Sequence, residues 1–239
     1  MSTAIECSNV TKSYAEKTVL DDISYKINPG ELVGLVGVNG AGKTTMIKSI
    51  LDLTDINSGT INLFGVDHTC TDARSELAYL PERFNPPSFL KGSEFITYML
   101  ELHQAEEKQS RVHAVMEELD FDPADLAKPI HAYSKGMVQK IGLATSLLSN
   151  KPLLILDEPM SGLDPKARKH LKEVFSRLKQ KEVTLFISTH LLADAALICN
   201  RLFVLHNAGI VFDGSPNQFL EMYASTDFDE AFVNCISAN

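Results

Sequence analysis

The amino-acid sequence predicts an α/β protein, with a single core of alternating strands and helices interrupted by a mainly helical insertion. Three observations predict this class. The chain has 239 residues, which is enough to bury a sizeable core. Short apolar runs alternate with helical patterns before residue 83 and again after residue 150. Between about Arg83 and Asn150, apolar residues instead recur at helical spacing with few strand signals.

Composition and charge narrow the classes of function. Hydrophobic residues make up 44% of the chain and charged residues 22%, which is typical of a globular protein. The net charge of -9 disfavours nucleic acid or an anionic membrane as a direct partner. The four cysteines form no Cys-x-x-Cys pair, which indicates reduced thiols in a cytosolic protein. Neither a signal peptide nor an apolar run of spanning length is evident, so we expect another chain to cross any membrane involved.

Before residue 83 the sequence predicts five strands and one helix. Each predicted strand is a short apolar run bounded by turn residues, such as Asn28-Pro29-Gly30. The strands are Ile5–Val10, Asp22–Ile27, Leu32–Val36, Gly59–Phe64 and Leu77–Leu80. The helix is Lys43–Leu51, which follows the third strand after a glycine-rich loop.

The insertion and the second half of the core follow from the same patterns. In the insertion, two groups of apolar residues recur at helical spacing: Phe95, Tyr98, Met99 and Leu102, then Val112, Val115, Met116 and Leu119. A further helix is predicted at Lys135–Leu148. The core then continues with strands Leu153–Leu156, Thr184–Ser188 and Arg201–Leu205, and with helices Pro165–Lys179 and Leu192–Cys199. The tail Ser225–Asn239 is predicted either as a terminal helix or as a loosely ordered segment.

The first functional motif is the glycine-rich loop Gly37-Val38-Asn39-Gly40-Ala41-Gly42-Lys43-Thr44, between a predicted strand and a predicted helix. Backbone N–H groups in such a loop, together with the helix N-terminus, bind phosphate groups. Lys43 can then reach the β- and γ-phosphates, and the Thr44 hydroxyl can ligate Mg²⁺. A turn that merely connects strand to helix is the alternative, and the strand–loop–helix context disfavours it. The sequence therefore predicts a nucleoside triphosphate site.

The second motif is an acidic pair at the end of the apolar run Leu153–Leu156. Such a run is typical of a strand buried on both faces of a parallel sheet, and these sheets bind ligands at the carboxyl ends of their strands. Asp157 is predicted to hold Mg²⁺, and Glu158 to orient or deprotonate a water that attacks the γ-phosphate. An exposed acidic turn would be the simpler interpretation of the pair alone. Beside a phosphate loop, the pair predicts a hydrolytic site.

The order of five motifs along the chain resembles the nucleotide-binding subunit of an ATP-binding-cassette (ABC) transporter. After the phosphate loop come Tyr133–Lys140, Leu153–Pro159, Ser161–Asp164 and Ser188–His190. The likeness extends from Ile5 to about Tyr223. The Tyr-Ser-Lys-Gly-Met form of the motif at Tyr133, which corresponds to the family signature, is most similar to single-domain ATPase subunits of ABC-2-type exporters.

This resemblance implies a more detailed fold. It implies a P-loop NTPase core of ABC type with a mixed, mainly parallel sheet, an N-terminal antiparallel β subdomain and a helical insertion. Residues 3–82 and 151–223 would form the nucleotide-binding core with the β subdomain. Residues 83–150 would form the helical subdomain that carries the signature, and residues 224–239 the C-terminal tail.

The resemblance also implies further contacts with ATP. Tyr14 would stack on adenine, and His190 would sense the γ-phosphate. Ser134 and Gly136 would contact the γ-phosphate held by a partner subunit, and Asp164 belongs to a loop that communicates across the dimer. The matching positions of the phosphate loop are Gly37, Asn39, Gly40, Ala41, Gly42, Lys43, Thr44 and Thr45.

Several of these residues have a simpler structural interpretation. Tyr14 could be a half-buried tyrosine at a strand end. Ser134 and Asp164 could be N-caps of the helices that follow them, although an N-cap position is also an anion site. His190 could be an ordinary surface or core residue. Its place after an apolar strand and Ser188-Thr189 favours the functional interpretation.

The chain departs from the family pattern in two motifs. Glu82 stands where many members have a glutamine after the strand that follows the phosphate loop. A carboxylate can still ligate Mg²⁺, so Glu82 stays a predicted metal residue together with Thr44 and Asp157. In the signature, Lys135 replaces the usual first glycine and Met137 the usual glutamine. The serine and the second glycine are retained, so we expect function to be preserved.

The resemblance implies partners as well as cofactors. ATP and Mg²⁺ would be held at two composite sites between two copies of this chain, since both halves of a site are intact. Closure and opening of this homodimer would drive a separate transmembrane permease, with export favoured. The expected location is therefore cytoplasmic, peripheral on the inner face of the cytoplasmic membrane through the permease. The alternative is a soluble ABC ATPase without a transport role, acting as an assembly scaffold or in processes associated with nucleic acid or translation.

The segment after Glu82 is stiffened by Pro86 and Pro87 and carries two aromatic residues. In the family this region faces the membrane subunit. One hypothesis is that Phe84, Phe89 and Leu90 form an exposed apolar groove that docks the permease. The other is that they pack the insertion against the core.

Overall fold

The computed structural model describes residues 2–178 and 181–238. Within these ranges the chain forms ten strands. They are β1 (Ile5–Tyr14), β2 (Lys17–Ile27), β3 (Leu32–Val36), β4 (Ser58–Leu63), β5 (Val66–Asp67), β6 (Leu77–Leu80), β7 (Leu153–Asp157), β8 (Thr184–Thr189), β9 (Arg201–His206) and β10 (Gly209–Gly214).

The same ranges contain eight α-helices and three short 3-10 helices. The α-helices are α1 (Lys43–Ile50), α2 (Gly92–Leu102), α3 (Gln109–Glu118), α4 (Lys135–Leu148), α5 (Pro165–Leu178), α6 (Leu192–Ile198), α7 (Pro216–Met222) and α8 (Phe228–Ala238). The 3-10 helices are Thr71–Arg74, Pro123–Ala127 and Ile130–Ala132. Among the described residues, no helix has both the length and the apolar character needed to cross a membrane.

The strands form two sheets. One is a four-stranded antiparallel sheet in the order β2-β1-β4-β5. The other has six strands in the order β10-β9-β3-β8-β7-β6, all parallel to their neighbours except for the antiparallel pair β9–β10. The predicted class, a mixed and mainly parallel sheet with an N-terminal antiparallel part and a helical insertion, is confirmed.

The parallel sheet lies between two apolar layers. Every residue of β3, β7 and β8 is buried, as expected for strands covered on both faces. Successive side chains point to opposite faces, so Leu154 and Leu156 pack with the helical insertion, whereas Leu153 and Ile155 pack with α1 and the antiparallel sheet. This alternation explains why the sequence of β7 is apolar at every position before Asp157.

The register of the parallel strands fixes where the functional motifs meet. Val36 at the end of β3 lies opposite Thr189 of β8, and Asp157 at the end of β7 lies opposite Ser188. Leu80 at the end of β6 lies opposite a residue near the end of β7. Since parallel strands end at the same edge, the loops after β3, β6, β7 and β8 converge there.

The antiparallel sheet is longer than the sequence predicts. Strand β1 continues to Tyr14 and β2 begins at Lys17, and these two residues pair across a short turn. Their added residues are mostly polar and partly exposed, so they carry no apolar run for a strand prediction to detect. The extension matters because it carries Tyr14 to the end of the hairpin.

Besides the three short 3-10 helices, the prediction lacks two strands, β5 and β10, and one α-helix, α7. Strand β5 has two residues and both are exposed, so it carries no apolar pattern. Helix α7 has a signal that was overlooked, a capping box. Ser215 accepts a hydrogen bond from the Gln218 N–H at 3.3 Å, and the Gln218 side chain accepts one from the Ser215 N–H at 2.8 Å. Proline at the first helical position supports the same start.

At the C-terminus, the terminal-helix alternative is the correct one, because α8 occupies Phe228–Ala238. The predicted last residue of α5, Lys179, lies outside the described residues. Helices α1 and α6 each end one residue earlier than predicted. The domain limits at residues 83, 151 and 224 stay predictions.

Phe84, Phe89 and Leu90 differ in how far their side chains are buried. The ring of Phe84 packs edge-on against Phe95 at 5.8 Å between centroids, and it also lies against Gly142 of α4. Leu90 is partly buried against the same apolar core. Phe84 and Leu90 therefore pack against the core, as the second hypothesis predicts, while each keeps part of its surface exposed. Phe89, in contrast, is 76% exposed.

Candidate functional site

The loop between β3 and α1 needs glycine for two different reasons. Gly40 and Gly42 adopt φ angles of 82° and 111°, a region of backbone space that favours glycine. At Gly37 the constraint is space, because an added Cβ would lie 2.6 Å from the carbonyl oxygen of Leu205. Gly42 is the N-cap of α1, so the loop leads directly into the helix N-terminus. This is the strand–loop–helix geometry in which orphan N–H groups bind anions.

Lys43 begins α1 and its side chain is folded back over the loop. Its ammonium donates hydrogen bonds to the carbonyl oxygens of Gly37, at 2.7 Å, and Val38, at 3.3 Å. It also lies 3.8 Å from Oε1 of Glu158. Burial lowers the pKa of Lys43, while the carboxylates of Glu158, Asp157 and Glu82 oppose that shift. A buried ammonium in this position is suited to hold a polyanion.

Asp157 is buried at the end of β7 with hydroxyl groups on both oxygens. The Thr44 hydroxyl donates to Oδ2 at 3.0 Å. The Ser188 hydroxyl donates to Oδ1. A carboxylate and a threonine hydroxyl side by side are hard oxygen donors, the kind that Mg²⁺ binds. The residues therefore fit a magnesium ion.

Glu158 follows with an unusual backbone. Its φ is 50°, the left-handed region that a side chain other than glycine rarely adopts. The backbone N–H donates to the carbonyl oxygen and to the hydroxyl oxygen of Ser188, each at 3.1 Å. Both carboxylate oxygens lie 3.0 Å from Nδ1 of His190. The glutamate therefore stands between an imidazole and the ammonium of Lys43.

These residues surround a cleft of about 500 Å³. A volume of this size is typical of sites for small-molecule ligands. The lining residues are Tyr14, Val19, Asn39, Gly40, Gly42, Lys43, Thr44, Thr45, Glu82, Glu158, Ser161 and His190. Most of the predicted site residues of the core are thus brought together in one place, and Gly37, Ala41 and Asp157 lie directly behind them in the loop and in β7.

Tyr14 stands at one end of the cleft with its side chain partly exposed. The hydroxyl lies 3.4 Å from the hydroxyl of Thr54, and this hydrogen bond lowers the pKa of Tyr14. The ammonium of Lys12 lies 4.7 Å from the ring centroid, within the range of a cation–π contact. An exposed aromatic ring at the rim of a cleft is a surface on which a flat base can stack.

The signature residues lie apart from this cleft. Ser134 is the N-cap of α4, and its hydroxyl oxygen accepts a hydrogen bond from the Met137 N–H at 3.2 Å. Gly136 approaches the backbone of Gly162, since an added Cβ would lie 3.3 Å from the Gly162 carbonyl oxygen. Neither Ser134 nor Gly136 is among the described residues that line the cleft. Ser134 is exposed, so another molecule can reach it.

Asp164 is likewise outside the cleft as the described residues define it. Its Oδ1 accepts a hydrogen bond from the Ala167 N–H at 2.9 Å, which is the contact of an N-cap for α5. The structural interpretation of Ser134 and Asp164 as helix caps is therefore observed. It does not compete with a role toward a second subunit, because a helix N-terminus also attracts anions.

Sequence reasoning overlooked three residues of this region. Val19 and Ser161 line the cleft, and Ser188 holds Asp157 and the backbone of Glu158. Ser161 and Ser188 belong to the motifs Ser161–Asp164 and Ser188–His190, so their place beside predicted site residues could have identified them. Val19 gave no signal, because it reaches the cleft only through the path of β2.

The family model and the related sequences that match this chain belong to one family. The family model described as ABC transporter matches residues 20–161. An uncharacterized ABC transporter ATP-binding protein of Synechocystis is 35% identical, over 84% of this chain and 58% of that protein. Nod factor export ATP-binding protein I of Rhizobium etli is 33% identical, over 92% of this chain and 70% of that protein. The chain therefore spans 58% of the length of the first relative and 70% of the length of the second.

Solved structures agree with the sequence comparisons. The structure of an ATP-binding subunit of an ABC transporter superposes with a TM-score of 0.87 at 29% identity, covering 98% of this chain and 99% of that one. A dimeric ATP-binding cassette in a post-hydrolysis state, bound to ADP and phosphate, shares the fold with a TM-score of 0.79 at 20% identity, covering 88% of this chain and 98% of that one. On this evidence the chain belongs to the ABC transporter family, as one of its ATP-binding subunits.

Proposed function

We propose that the chain binds ATP and Mg²⁺ in the cleft at the edge of the parallel sheet and hydrolyses ATP to power a separate transmembrane permease. The observation that carries this proposal is the convergence of three groups at that edge. The buried ammonium of Lys43, the pair formed by Thr44 and Asp157, and the pair formed by Glu158 and His190 meet there. Each group supplies one requirement of phosphoryl transfer, namely anion binding, metal binding and activation of water.

ATP binding is assigned to the loop and its rim. Lys43 exchanges its contacts with the Gly37 and Val38 carbonyl oxygens for the β- and γ-phosphates. The loop residues Gly37 to Thr45 surround the phosphates, and the adenine stacks on the exposed ring of Tyr14. This assignment is supported by the lining of the cleft, which includes Tyr14, residues of the loop and Glu158.

Mg²⁺ is assigned to Thr44 and Asp157, with Glu82 as a third oxygen donor at the rim. When bound, this ion supplies positive charge to the phosphate oxygens. Glu82 lines the same cleft as Lys43 and Thr44, which supports its place near the phosphate site.

Glu158 is assigned as the general base. It accepts a proton from a water molecule whose oxygen attacks the γ-phosphorus, and the bond from that phosphorus to the β–γ bridging oxygen breaks. The products are ADP and inorganic phosphate. His190 orients the carboxylate through Nδ1. In this proposal its other ring nitrogen would contact the γ-phosphate, which is the predicted sensing role.

The direct test is release of phosphate from ATP by the purified protein with and without Mg²⁺. We expect release that depends on Mg²⁺. Protein that is folded but neither binds ATP nor releases phosphate would contradict the proposal.

The signature serves a second copy of the chain. Ser134 and Gly136 at the N-terminus of α4 would contact the γ-phosphate bound to the partner subunit, and Asp164 would contact the partner across the interface. The separation of these residues from the cleft of their own subunit supports this arrangement. Two ATP molecules would thus join two subunits, and hydrolysis would release them.

The permease partner and the direction of transport are the parts of the proposal that rest on related proteins. Several related proteins are named Nod factor export ATP-binding protein I, which favours export. The translocation path is assigned to another chain, because the relatives are named as ATP-binding proteins of export systems. The expected location is the cytoplasmic face of the membrane, through that permease.

The exposed ring of Phe89 offers a test of docking to the permease. Phe89→Glu should weaken association with a co-expressed candidate permease by about 30-fold or more if this ring is an interface hot spot. Co-purification with a tagged permease measures the effect. Leu197→Glu is a matched control, because Leu197 is also a highly exposed apolar side chain and lies on α6 instead. Unchanged association of a folded Phe89→Glu variant would show that docking occurs elsewhere.

A further inference from the structure

Ser188 occupies a position that links the two carboxylates of the site. It lies on β8 opposite Asp157 of β7 and is fully buried. Its hydroxyl donates to Oδ1 of Asp157. The hydroxyl oxygen of Ser188 also accepts a hydrogen bond from the backbone N–H of Glu158 at 3.1 Å. One side chain therefore contacts the predicted metal residue and the backbone of the predicted base.

A serine at this position needs a reason, because its surroundings favour an apolar residue. The three preceding residues of β8 are Leu185, Phe186 and Ile187, and all are buried. A β-branched apolar side chain would suit a strand covered on both faces. A buried hydroxyl costs free energy unless its donor and acceptor are both satisfied, and here both are used within the site.

The contacts of Ser188 determine two orientations. Because Oδ1 of Asp157 is taken by Ser188, the other oxygen, Oδ2, is the one that meets the Thr44 hydroxyl beside the cleft. Glu158 has a left-handed φ of 50°, a strained conformation that persists only where the surroundings hold it. The N–H of Glu158 is held by the carbonyl and the hydroxyl oxygen of Ser188.

We propose that Ser188 is a positioning residue that orients Asp157 for Mg²⁺ and Glu158 for the attacking water. This inference rests on the proposed ATPase function and extends it to a residue that touches neither nucleotide nor water. A serine is required because a hydroxyl donates to one group and accepts from the other in the volume of two heavy atoms.

The test uses two replacements of Ser188 and one control. Ser188→Ala removes the hydroxyl, and Ser188→Cys keeps a side chain of the same shape but offers only a weak donor and acceptor. Thr184→Val is the control, because Thr184 is another fully buried hydroxyl of β8 that accepts a hydrogen bond from the Gly30 N–H at 3.0 Å, at the opposite end of the strand. All three variants weaken or lose hydrogen bonding of a buried hydroxyl of β8, so each is expected to lose some stability.

The decisive measurement is the affinity for ATP with Mg²⁺ and with EDTA, determined by calorimetric titration at a temperature well below each Tm. Hydrogen-bond partners of metal ligands are worth about 10- to 100-fold in metal affinity or activity. We therefore expect both Ser188 variants to lose most of the gain in affinity that Mg²⁺ gives, while ATP affinity in EDTA stays within about twofold of the original chain. The Mg²⁺ concentration for half-maximal phosphate release should rise by about 10- to 100-fold. Thr184→Val should leave both quantities unchanged.

The inference is overturned if either Ser188 variant keeps the original dependence on Mg²⁺, or if Thr184→Val changes it as much as they do. The first outcome would reduce Ser188 to a packing residue, and the second would show that the effect comes from stability. Failure of the unsubstituted chain to bind ATP at all would instead overturn the proposed function, and is recognised before any variant is compared.

Discussion

Replacement of Glu158 by Gln is expected to stop ATP turnover while ATP binding persists. Glutamine keeps the size of the side chain and can still contact His190, but an amide does not take a proton from the attacking water. A general base contributes about 10²- to 10⁴-fold, so kcat should fall by at least about 100-fold. Since hydrolysis separates the two subunits in the proposed cycle, ATP should also trap this variant as a dimer. Phosphate release and size-exclusion chromatography with ATP measure the two effects.

Glu182→Gln provides a matched control for that experiment. Glu182 also has a left-handed backbone, with a φ of 56°, but it is exposed and precedes β8 at the opposite edge of the sheet. The same chemical change there should leave turnover unchanged. If Glu158→Gln hydrolysed ATP at the original rate, Glu158 would not be the base.

The second large effect is recovery of activity when two inactive variants are mixed. Lys43→Ala removes the ammonium that holds the phosphates. Loss of one partner of a buried charge pair costs about 2–5 kcal/mol of binding free energy. Since each 1.4 kcal/mol is about tenfold in affinity, ATP binding should weaken by more than about tenfold. Ser134→Glu places a carboxylate against the γ-phosphate of the partner subunit. Each variant alone should be almost inactive. In a mixed dimer one site is intact, because it combines the loop of the Ser134 variant with the signature of the Lys43 variant.

Random assortment of two variants in equal amounts makes about half of the dimers mixed, each with one intact site of two. Turnover should therefore return to about a quarter of the original rate if the sites act independently. A mixture of Lys43→Ala with Glu158→Gln is the negative control, because both residues serve the same cleft and no intact site can form. Activity in that mixture, or none in the first, would rule out the composite site.

Ser215→Glu controls for damage to a helix start. Ser215 caps α7 in the same way that Ser134 caps α4, with its hydroxyl oxygen accepting a backbone N–H. Loss of such a cap costs about 1 kcal/mol. Both replacements should lower Tm to a similar extent, whereas Ser134→Glu alone should abolish turnover.

The sequence predicted the parts of this site in which neighbouring residues do one task. The loop from Gly37 to Thr45 and the pair Asp157-Glu158 are contiguous, and each follows an apolar strand, so pattern and chemistry point the same way. The strands themselves were recognisable because burial on both faces requires continuous apolar runs. The fold class followed from those runs together with the helical spacing of the insertion.

What the sequence did not predict depends on register and packing. Ser188 meets Asp157 only because β7 and β8 pair in one register, and no local pattern states that pairing. The sequence left open whether Phe84 is exposed in a groove or packs against the core, and in the structure it packs edge-on against Phe95. Polar extensions of β1 and β2 were missed because cross-strand pairing, rather than an apolar run, stabilises them.

The contacts of Lys43 bear on how the nucleotide leaves. A buried ammonium that lost its phosphate would be costly if it had nothing else to bind. Here the carbonyl oxygens of Gly37 and Val38 receive it at 2.7 and 3.3 Å. The ammonium of Lys43 therefore keeps hydrogen-bond partners in its own loop when no phosphate is bound. In the proposed cycle these contacts stabilise the loop after the nucleotide has left, which favours ADP release, the kind of step that limits many enzymes.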